Sequence, residues 1–337
     1  MRQNKYKIVV IGGGTGTYTL LRGLRQHADM LDITAIVTMA DSGGSTGRLR
    51  DEFGSLPVGD VRMALSALAP ADDRHGELLR DLFLYRFAKG EGLTGHNFGN
   101  LFLTALTDML GSEVEAIAVA SQVLRVAGRV LPVTTDNVHL VATYDSGRVV
   151  VGEHGIDEPE AEHHHDRIVD LATDRVAVVY PEAAAALLQA DLIVFGPGDL
   201  YTSILANCVI GGMRDVLEAS QARRVFVANL MARPGQTIGM HLSDYVSEIE
   251  RYTGLLPHEV FVHGGSITAD LVARYAALEG VHPVQVDLTH PAIRISEHDI
   301  VSGEIITPVQ GDVLQRSFIR HDSDRLAAAV ISLVTPQ

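Results

Sequence analysis

A buried strand that leads through a glycine-rich turn into a helix limits the folds open to this chain. Residues 7–11 form a short apolar run, residues 12–17 read Gly-Gly-Gly-Thr-Gly-Thr, and leucines then recur at helical spacing. Glycines let a backbone approach a ligand closely, and the free N–H groups of a helix start favour an anion. The pattern predicts a phosphate-binding turn. An ordinary tight turn is the alternative, because Thr17 stands where the dinucleotide fingerprint has glycine or alanine.

The same alternation of strands and helices continues along the 337 residues. Further apolar, β-branched runs predict strands at 33–39, 130–133, 138–144, 148–152, 175–179, 192–195, 224–228 and 260–262. Helical periodicity predicts helices at 17–26, 60–68, 77–87, 100–110, 114–126, 181–189, 201–217, 242–252, 269–277 and 325–333. Such alternation predicts a Rossmann-like, doubly wound α/β fold with a mostly parallel sheet and helices on both faces. We expect one domain over residues 1–337.

Three of these strands interrupt the α/β alternation. The Asp-Ser-Gly at 145–147 is a hairpin signal between two of them. A polar, acidic stretch at 153–166 follows and contains three consecutive histidines, His163 to His165. We predict a small β-meander and loop insertion over 129–166, forming a side sheet or an antiparallel extension. The histidines could bind a metal or belong to a solvated loop.

Charge and cysteine content narrow the class of protein. The formal net charge is −15 and there is no run of lysine or arginine, which argues against a nucleic-acid partner. Cys208 is the single cysteine, so it fits a reducing compartment and reads as a small buried hydrophobe. No long apolar segment is visible. We therefore expect a cytoplasmic protein that does not insert into a membrane; a homo-oligomer remains open.

A second glycine-rich loop follows the second predicted strand. It reads Asp41-Ser42-Gly43-Gly44-Ser45-Thr46-Gly47-Arg48. In an open α/β sheet the carboxyl ends of the strands form the ligand-binding edge. Asp41 could accept a ribose hydroxyl or hold Mg²⁺. The hydroxyls and backbone N–H groups could donate to a phosphate, and the arginine could grip it with two hydrogen bonds. A flexible linker is the alternative.

Two further polar clusters precede predicted helices. Asp60 follows Gly59 and could either serve the ligand or cap the next helix. His96 could act as a general acid or base or donate to a phosphate. Asn97 and Asn100 lie beside it and could bind the ligand or cap the helix. Asp41, Asp60 and His96 are the only candidate catalytic groups.

The segment around residues 192–203 repeats the pattern of the first turn, a buried strand followed by a glycine turn and a helix. A buried strand ends at Phe195, and Gly196-Pro197-Gly198 leads into a predicted helix. Two such turns on one sheet edge would give two anion sites that a diphosphate could span. Asp199 would repel a phosphate there, and it could face a sugar hydroxyl instead. The predicted ligand-binding residues are Gly13, Gly14, Thr15, Gly16, Thr17, Asp41, Gly43, Gly44, Ser45, Thr46, Arg48, Asp60, His96, Asn97, Asn100, Gly196, Pro197, Gly198, Asp199, Tyr201, Thr202 and Asn229.

In order and spacing these motifs resemble the bacterial gluconeogenesis-factor family, within the superfamily of 2-phospho-L-lactate transferase. The resemblance runs from Ile8 to about Asp270. Its most specific stretches are 12–16, 43–50, 96–101 and 196–203, with Asn-Leu-Met at 229–231 and Pro-Gly at 234–235. It implies a Rossmann-like fold that binds a nucleotide or nucleotide sugar, chiefly UDP-N-acetylglucosamine. It also implies a role in cell shape and envelope synthesis during gluconeogenic growth, acting through a protein partner.

The resemblance leaves two functions open. One is a regulator that binds a nucleotide sugar without turnover. The other is a transferase that uses Mg²⁺ and a nucleotide diphosphate donor, as the related enzyme does when it moves a phospholactyl group to a deazaflavin. Three positions depart from the family pattern. Ser42 replaces the second acid of an Asp-Asp pair, which weakens a paired-carboxylate metal site; Val58 replaces a proline, and Asp199 replaces a serine.

Overall fold

The computed structural model describes residues 5–54, 56–70, 73–302 and 319–335. The strands in this part of the chain are β1 (Tyr6–Gly12), β2 (Leu31–Val37), β3 (Arg129–Pro132), β4 (Leu140–Tyr144), β5 (Val149–Val151), β6 (Ile168–Thr173), β7 (Leu192–Phe195), β8 (Arg223–Val227), β9 (Glu259–His263) and β10 (Arg294–His298). The first α-helices are α1 (Gly14–Arg25), α2 (Gly44–Phe53), α3 (Gly59–Leu68), α4 (Arg74–Leu84), α5 (Phe98–Leu110) and α6 (Glu113–Leu124). They continue with α7 (Glu153–Asp157), α8 (Pro181–Leu188), α9 (Ala206–Cys208), α10 (Met213–Ala219), α11 (Leu242–Thr253), α12 (Ala269–Glu279) and α13 (Ser323–Ile331).

Seven of the strands form a parallel sheet in the order β3-β2-β1-β7-β8-β9-β10. Ile8 on β1 pairs with Ile33 on β2 and with Leu192 on β7. From β1 the chain builds outward through β2 and β3, then returns to β7 and builds outward in the other direction. This reversal creates a topological switch point between β1 and β7. The predicted Rossmann-like α/β fold is confirmed.

The central strands are apolar because both faces of a parallel sheet are covered by helices. Every residue of β7 is buried, as are the last five of β1. On one side α1 packs against α3 and α13, and elsewhere α10 packs against α8 and α11. The buried core is therefore largely aliphatic, and Cys208 is buried within it, as expected.

The remaining three strands form a small antiparallel sheet in the order β5-β4-β6. Two strands of the predicted meander are thus confirmed as β4 and β5. The boundaries differ from the predicted 129–166, because β3 pairs with β2 in the main sheet and the small sheet extends to Thr173 on β6.

Two predicted elements are wrong. Residues 175–179 form no strand of either sheet; Val178 makes only an isolated bridge to Gly211, and Val176 is 89% exposed. The helix predicted over 201–217 is divided into a π-helical segment (Leu200–Leu205), α9 and α10. Gly212 adopts a φ of +82° before α10, which interrupts the helix at a residue type that tolerates this conformation.

The polar stretch at residues 153–166, predicted as a loop, also contains helical segments. It holds α7 and a short 3-10 turn (Ala161–His163). Among the described residues, no helix has the length and apolar character needed to cross a lipid bilayer.

Candidate functional site

The glycine turns that follow β1 and β7 are in direct contact at the switch point. A Cβ atom at Gly16 would lie 2.4 Å from the carbonyl oxygen of Pro197. The hydroxyl of Thr17 donates to the same oxygen at 3.4 Å. Only glycine allows the first turn of α1 to lie so close to the second turn. The structure thus brings together the two turns that the sequence predicted to share one edge.

Glycines stand at the N-caps of the helices that begin at this edge. Gly13 is the N-cap of α1 and Gly43 is the N-cap of α2, and a glycine has no side chain that could cap its own helix. The N-cap side chain of the π-helical segment, Asp199, makes no capping hydrogen bond either. Uncapped N–H groups carry the positive end of the helix dipole. Several anion-binding helix starts therefore surround the switch point.

The Asp60 side chain binds the first glycine turn and does not cap its own helix, α3. Val58 is the N-cap of α3, so the prediction of Asp60 as a helix cap is wrong. Instead the Asp60 carboxylate accepts a hydrogen bond from the backbone N–H of Gly14 at 2.8 Å. Burial and the neighbouring charge of Asp41 raise the pKa of Asp60 to about 7. This acid therefore holds its proton to a much higher pH than an exposed aspartate does.

Two more carboxyl groups share this environment. Asp41 accepts a hydrogen bond from the N–H of Gly43 at 2.9 Å, yet burial raises its pKa. Glu153, at the start of α7, has a pKa well above its ordinary value because of burial and the charges of Asp41, Asp157 and Asp60. The Arg62 guanidinium partly offsets this repulsion at Asp41 and Asp60. The site therefore concentrates more negative charge than its own cations compensate.

Helix α7 links the glycine-rich loop after β2 to the segment that follows the glycine turn after β7. The Ser42 hydroxyl accepts a hydrogen bond from the N–H of His154 at 3.0 Å, at the start of the helix. At its end, the Asp157 carboxylate accepts hydrogen bonds from Thr202 at 3.2 Å and from Arg233 and Gln236 at 2.9 Å each. Sequence reasoning missed this element, because a five-residue polar segment gives no periodic signal.

Asp199 faces the same network. Burial raises its pKa to about 6, Arg233 opposes that shift and Asp157 adds to it. The adjoining Asn229 side chain donates to the carbonyl of Gly198 at 2.8 Å and so fixes the second turn against the end of β8. The acid at the second turn is thus a partly neutral group beside one arginine.

The glycine-rich loop after β2, residues 41–48, is hydrogen-bonded to the start of α5. The Ser45 hydroxyl lies 3.2 Å from His96 Nδ1 and accepts from the N–H of Asn97 at 3.2 Å. Burial and Arg48 lower the pKa of His96, which favours the neutral imidazole. The side chain of Asn97 caps α5, and that of Asn100 donates to Thr46 at 3.1 Å. These side chains hold the loop in place, and its backbone N–H groups remain the candidate anion ligands.

Two predicted ligand residues make hydrogen bonds to backbone carbonyls of the protein. Arg48 is exposed, and its guanidinium donates to the carbonyl of Thr94 at 3.3 Å. Tyr201 is only 2% exposed, and its hydroxyl donates to the carbonyl of Ile168 at 3.4 Å. The tyrosine ring therefore packs in the core.

A cavity of about 300 Å³ opens beyond the second turn, where β8 and β9 end. Asn229 and His263 contribute polar atoms, and Asn229 Oδ1 and His263 Nδ1 have no hydrogen-bond partner among the described residues. The apolar part of the lining comprises Leu230, Leu242, Val262, Ile267, Val272, Pro283, Val284 and Val286. An apolar cavity with a few convergent polar atoms is typical of a small-molecule site.

The described part of the chain places three metal-ligand atoms within 4.8 Å of one another at Glu160, Glu162 and His163. This group is largely exposed, and His163 Nδ1 lies 3.0 Å from Asp166. Exposed acidic groups of this kind are common in proteins without a bound ion.

The fold and site define a class of protein: Rossmann-like α/β proteins with paired glycine turns at the switch point. The model of the family described as "2-phospho-L-lactate transferase CofD" matches residues 8–306. The chain therefore belongs to the CofD family.

The relatives include proteins named gluconeogenesis factor. The one from Bacillus subtilis (strain 168) is 37% identical over 330 residues, which is 98% of this chain and 98% of its own. A relative from Thermotoga maritima is 41% identical over 324 residues, covering 96% and 98% of the two chains. The crystal structure of a UPF0052-family protein from Bacillus halodurans aligns with a TM-score of 0.86 at 34% identity, covering 98% of this chain and 99% of that one.

Proposed function

We propose that this chain binds a nucleotide sugar, UDP-N-acetylglucosamine, and acts as a regulator rather than as an enzyme. The observation that carries the proposal is the contact between the turn after β1 and the turn after β7 at Gly16 and Pro197. Two helix starts at one switch point suit the two phosphates of a diphosphate, once the Asp60 carboxylate gives up its hydrogen bond from Gly14. A single phosphate would need only one of them.

The rest of the ligand has a place on either side of these turns. The cavity beside Asn229 is large enough for a nucleobase, and its apolar walls suit a flat ring. Asn229 lines this cavity, and its buried Oδ1 has no hydrogen-bond partner in the described part of the chain. A base that drew this oxygen toward the cavity would give it the N3–H donor of uracil. Sugar hydroxyls can donate to the carboxyls of Asp41 and Asp199, which would not repel them as they repel a phosphate.

The regulatory part of the proposal rests on the family and on the character of the site. We expect the liganded protein to act in the cytoplasm on a protein partner in envelope synthesis, supporting cell shape during gluconeogenic growth. The relatives' name, gluconeogenesis factor, agrees with a role under such growth. A site that binds without turnover needs no activated nucleophile.

Thermal shift with a ligand panel tests binding. A ligand at a hundredfold excess over its Kd stabilises the native state by roughly 2.7 kcal/mol. UDP-N-acetylglucosamine should raise the melting temperature, and Asn229→Leu should reduce that increase. Gln189→Leu serves as the control, because Gln189 is exposed and accepts from Lys7, at the end of β1 opposite the turns. No shift with any uridine, guanosine or adenine diphosphate compound would contradict the proposal.

One observation favours the transferase alternative. Burial raises the pKa of Asp41, Asp60 and Glu153, and the charges of neighbouring carboxylates add to the rise at each. A divalent cation prefers such hard oxygen ligands and would offset the repulsion. Asp41 and Asp60 would hold Mg²⁺ together with the ligand's own phosphates, and the ion would stabilise charge that develops on the phosphoryl oxygens.

A turnover assay separates the two functions. The regulator proposal expects no transfer of a phospholactyl group to a deazaflavin at rates of about 1–1000 per second, which are typical of enzymes. Ser42→Asp restores the second acid of the family pattern and is the matched variant. Robust transfer by the wild type would establish the enzyme. Transfer by Ser42→Asp but not by the wild type would show that the chain keeps an acceptor site and lacks only metal binding.

A further inference from the structure

Three side-chain donors converge on the carboxylate of Asp157, at the end of α7. The Thr202 hydroxyl donates to Oδ1 at 3.2 Å, and the Gln236 amide donates to the same oxygen at 2.9 Å. The Arg233 guanidinium donates to Oδ2 at 2.9 Å. A guanidinium, a hydroxyl and an amide N–H are donors with which proteins bind phosphate oxygens. The three donors therefore form a small anion site that one of the chain's own carboxylates fills.

The donors are positioned by elements other than α7. Thr202 is buried in the π-helical segment that follows the glycine turn after β7. Arg233 and Gln236 lie in a turn after β8, in which the Arg233 N–H donates to the Thr237 hydroxyl at 2.8 Å and the Thr237 N–H donates to the Arg233 carbonyl at 2.9 Å. Gln236 is only 1% exposed. The site is thus built into the edge of the main sheet, and Asp157 reaches it from outside.

The Asp157 carboxylate can leave this site without disturbing the helix that carries it. Its side chain is 24% exposed, so it can turn toward solvent. The neighbouring Ile156 is fully buried and anchors α7 in the core. Arg233 also donates to the backbone carbonyl of Asp157 at 3.1 Å. This second hydrogen bond keeps the guanidinium in place when the side chain turns away.

The neighbouring acids allow one anion to replace another here. The pKa of Asp60 is raised to about 7 and that of Asp199 to about 6, so both carry less negative charge than exposed aspartates would. The charge of Asp157 contributes to both rises. Departure of its carboxylate removes that contribution. A phosphate would therefore replace a negative charge at the three donors and would not be added beside it.

We propose that Thr202, Arg233 and Gln236 form the subsite for one phosphate of the ligand. Asp157 occupies this subsite in the free protein and is displaced when the phosphate binds. The inference rests on the proposed function in one respect, that the ligand carries a phosphate. A phosphate offers more charge and more acceptor oxygens than a carboxylate to the same donors, which favours the exchange.

The Gln236 amide also indicates what adjoins the phosphate. Its Oε1 is buried and has no hydrogen-bond partner among the described residues. Because Oε1 and Nε2 belong to one amide, Oε1 lies beside the group that Nε2 binds. A hydroxyl of the sugar next to the phosphate can donate to this oxygen. The subsite therefore suits a phosphate that is linked to a sugar.

Calorimetry with inorganic pyrophosphate tests the subsite without a nucleotide. Asp157→Ala removes the competing carboxylate and should bind pyrophosphate at least about tenfold more tightly than the wild type, as expected when hydrogen bonds to a charged group become available. The Kd of UDP-N-acetylglucosamine should fall by a similar factor. Asp170→Ala is the matched control, because Asp170 pairs with Arg251 on the small sheet. It should leave both Kd values unchanged.

A double variant separates displacement from a loss of charge repulsion. Gln236→Leu should change the pyrophosphate affinity of the wild type little, because Asp157 already binds that donor. In the Asp157→Ala background the same substitution should remove most of the gain. If Asp157→Ala gives an equal gain with and without Gln236→Leu, its effect is a long-range charge effect and the proposal is overturned.

Asp157→Asn guards against a local folding defect, because it keeps the side-chain volume and loses only the charge. It should also bind pyrophosphate more tightly than the wild type, with a melting temperature near the wild-type value. Pyrophosphate affinity that neither Asp157 variant changes would overturn the subsite, even if the wild type binds UDP-N-acetylglucosamine. Tighter pyrophosphate binding in a chain that binds no nucleotide would uphold the subsite and contradict only the proposed function.

Discussion

The Asp60 carboxylate accepts a hydrogen bond of 2.8 Å from the backbone N–H of Gly14. This N–H lies at the helix start that is proposed to receive a phosphate. The positive end of α1 favours the ionised acid. Burial and the charge of Asp41 outweigh that effect and bring the pKa of Asp60 to about 7. An ionised Asp60 would also compete with a phosphate for the same N–H groups. The protonation of one acid is therefore linked to the fold and to the ligand.

The stability of the fold should respond to this acid. The pKa of Asp60 in the folded protein lies above the ordinary aspartate value of 3.8, so the native state holds the proton more tightly than the unfolded chain. Its contribution to stability is present at low pH and is lost as the pH rises from about 4 to 7. Asp60→Asn should therefore be more stable than the wild type at pH 8, by roughly 1–3 kcal/mol, in denaturant titrations.

Asp81→Asn is the control for that measurement, since the Asp81 side chain is 62% exposed. The gain of Asp60→Asn should vanish at acid pH, where the wild-type acid is also neutral. A variant that is less stable than the wild type at both pH values would contradict the assignment of a raised pKa.

Ligand affinity should depend on the same proton. Without a divalent cation, UDP-N-acetylglucosamine should bind the wild type more weakly as the pH rises from about 6 to 8, because ionised Asp60 repels the diphosphate. Asp60→Asn should flatten the profile, and the remaining change should come from Asp199, whose pKa is about 6. Calorimetry at several pH values measures both. An equally steep profile in the variant would show that another group controls affinity.

The contact between the two turns should tolerate no side chain at Gly16. A Cβ there meets backbone atoms of Pro197 at 2.4 and 2.6 Å, and forcing atoms into packed space costs about 1–3 kcal/mol. Gly16→Ala should lower stability by that amount and also weaken ligand binding. Gly92→Ala is the matched control, since it has only a positive φ of +84° and open space around it. It should lose some stability and keep the wild-type Kd.

A variant of Arg48 tests whether the glycine-rich loop after β2 contributes to ligand binding. Its bonds to the Thr94 carbonyl are long, at 3.3 Å, and we propose that the guanidinium exchanges them for a ligand phosphate. Arg48→Ala should then weaken binding by about 1.5–3 kcal/mol, as expected for a hydrogen bond between charged groups, while the fold survives. Arg214→Ala removes an exposed arginine that pairs with Glu218 and should leave the Kd unchanged. An unchanged Kd for Arg48→Ala would assign this residue a structural role.

The sequence predicted the elements whose pattern is strong. The runs before the two glycine turns became β1 and β7, because fully buried parallel strands are continuously apolar. Elements with mixed burial were missed. Strand β6 carries an irregular register opposite Thr143 and Tyr144, which breaks its alternation, and edge strand β10 contains charged, partly exposed residues.

The site was predicted as a set of loops and not as a network. Glycine patterns identified both turns, because close backbone contact requires that residue. The side chains that join the loops gave no signal of their own. Glu153 and Asp157 lie in a short polar segment, and the role of Asp157 depends on Arg233 and Gln236, which are distant in sequence. The direction of the Asp60 side chain likewise depends on how α3 approaches α1.

Isothermal titration calorimetry with UDP-N-acetylglucosamine tests the central claim most directly. The paired turns and the adjoining cavity predict saturable binding of one ligand per chain, with UDP competing and inorganic phosphate competing only weakly. Asn229→Leu should weaken the binding and Gln189→Leu, at the opposite end of β1, should not. No measurable binding of any nucleoside diphosphate compound, with or without Mg²⁺, would contradict the claim that these turns form a nucleotide site.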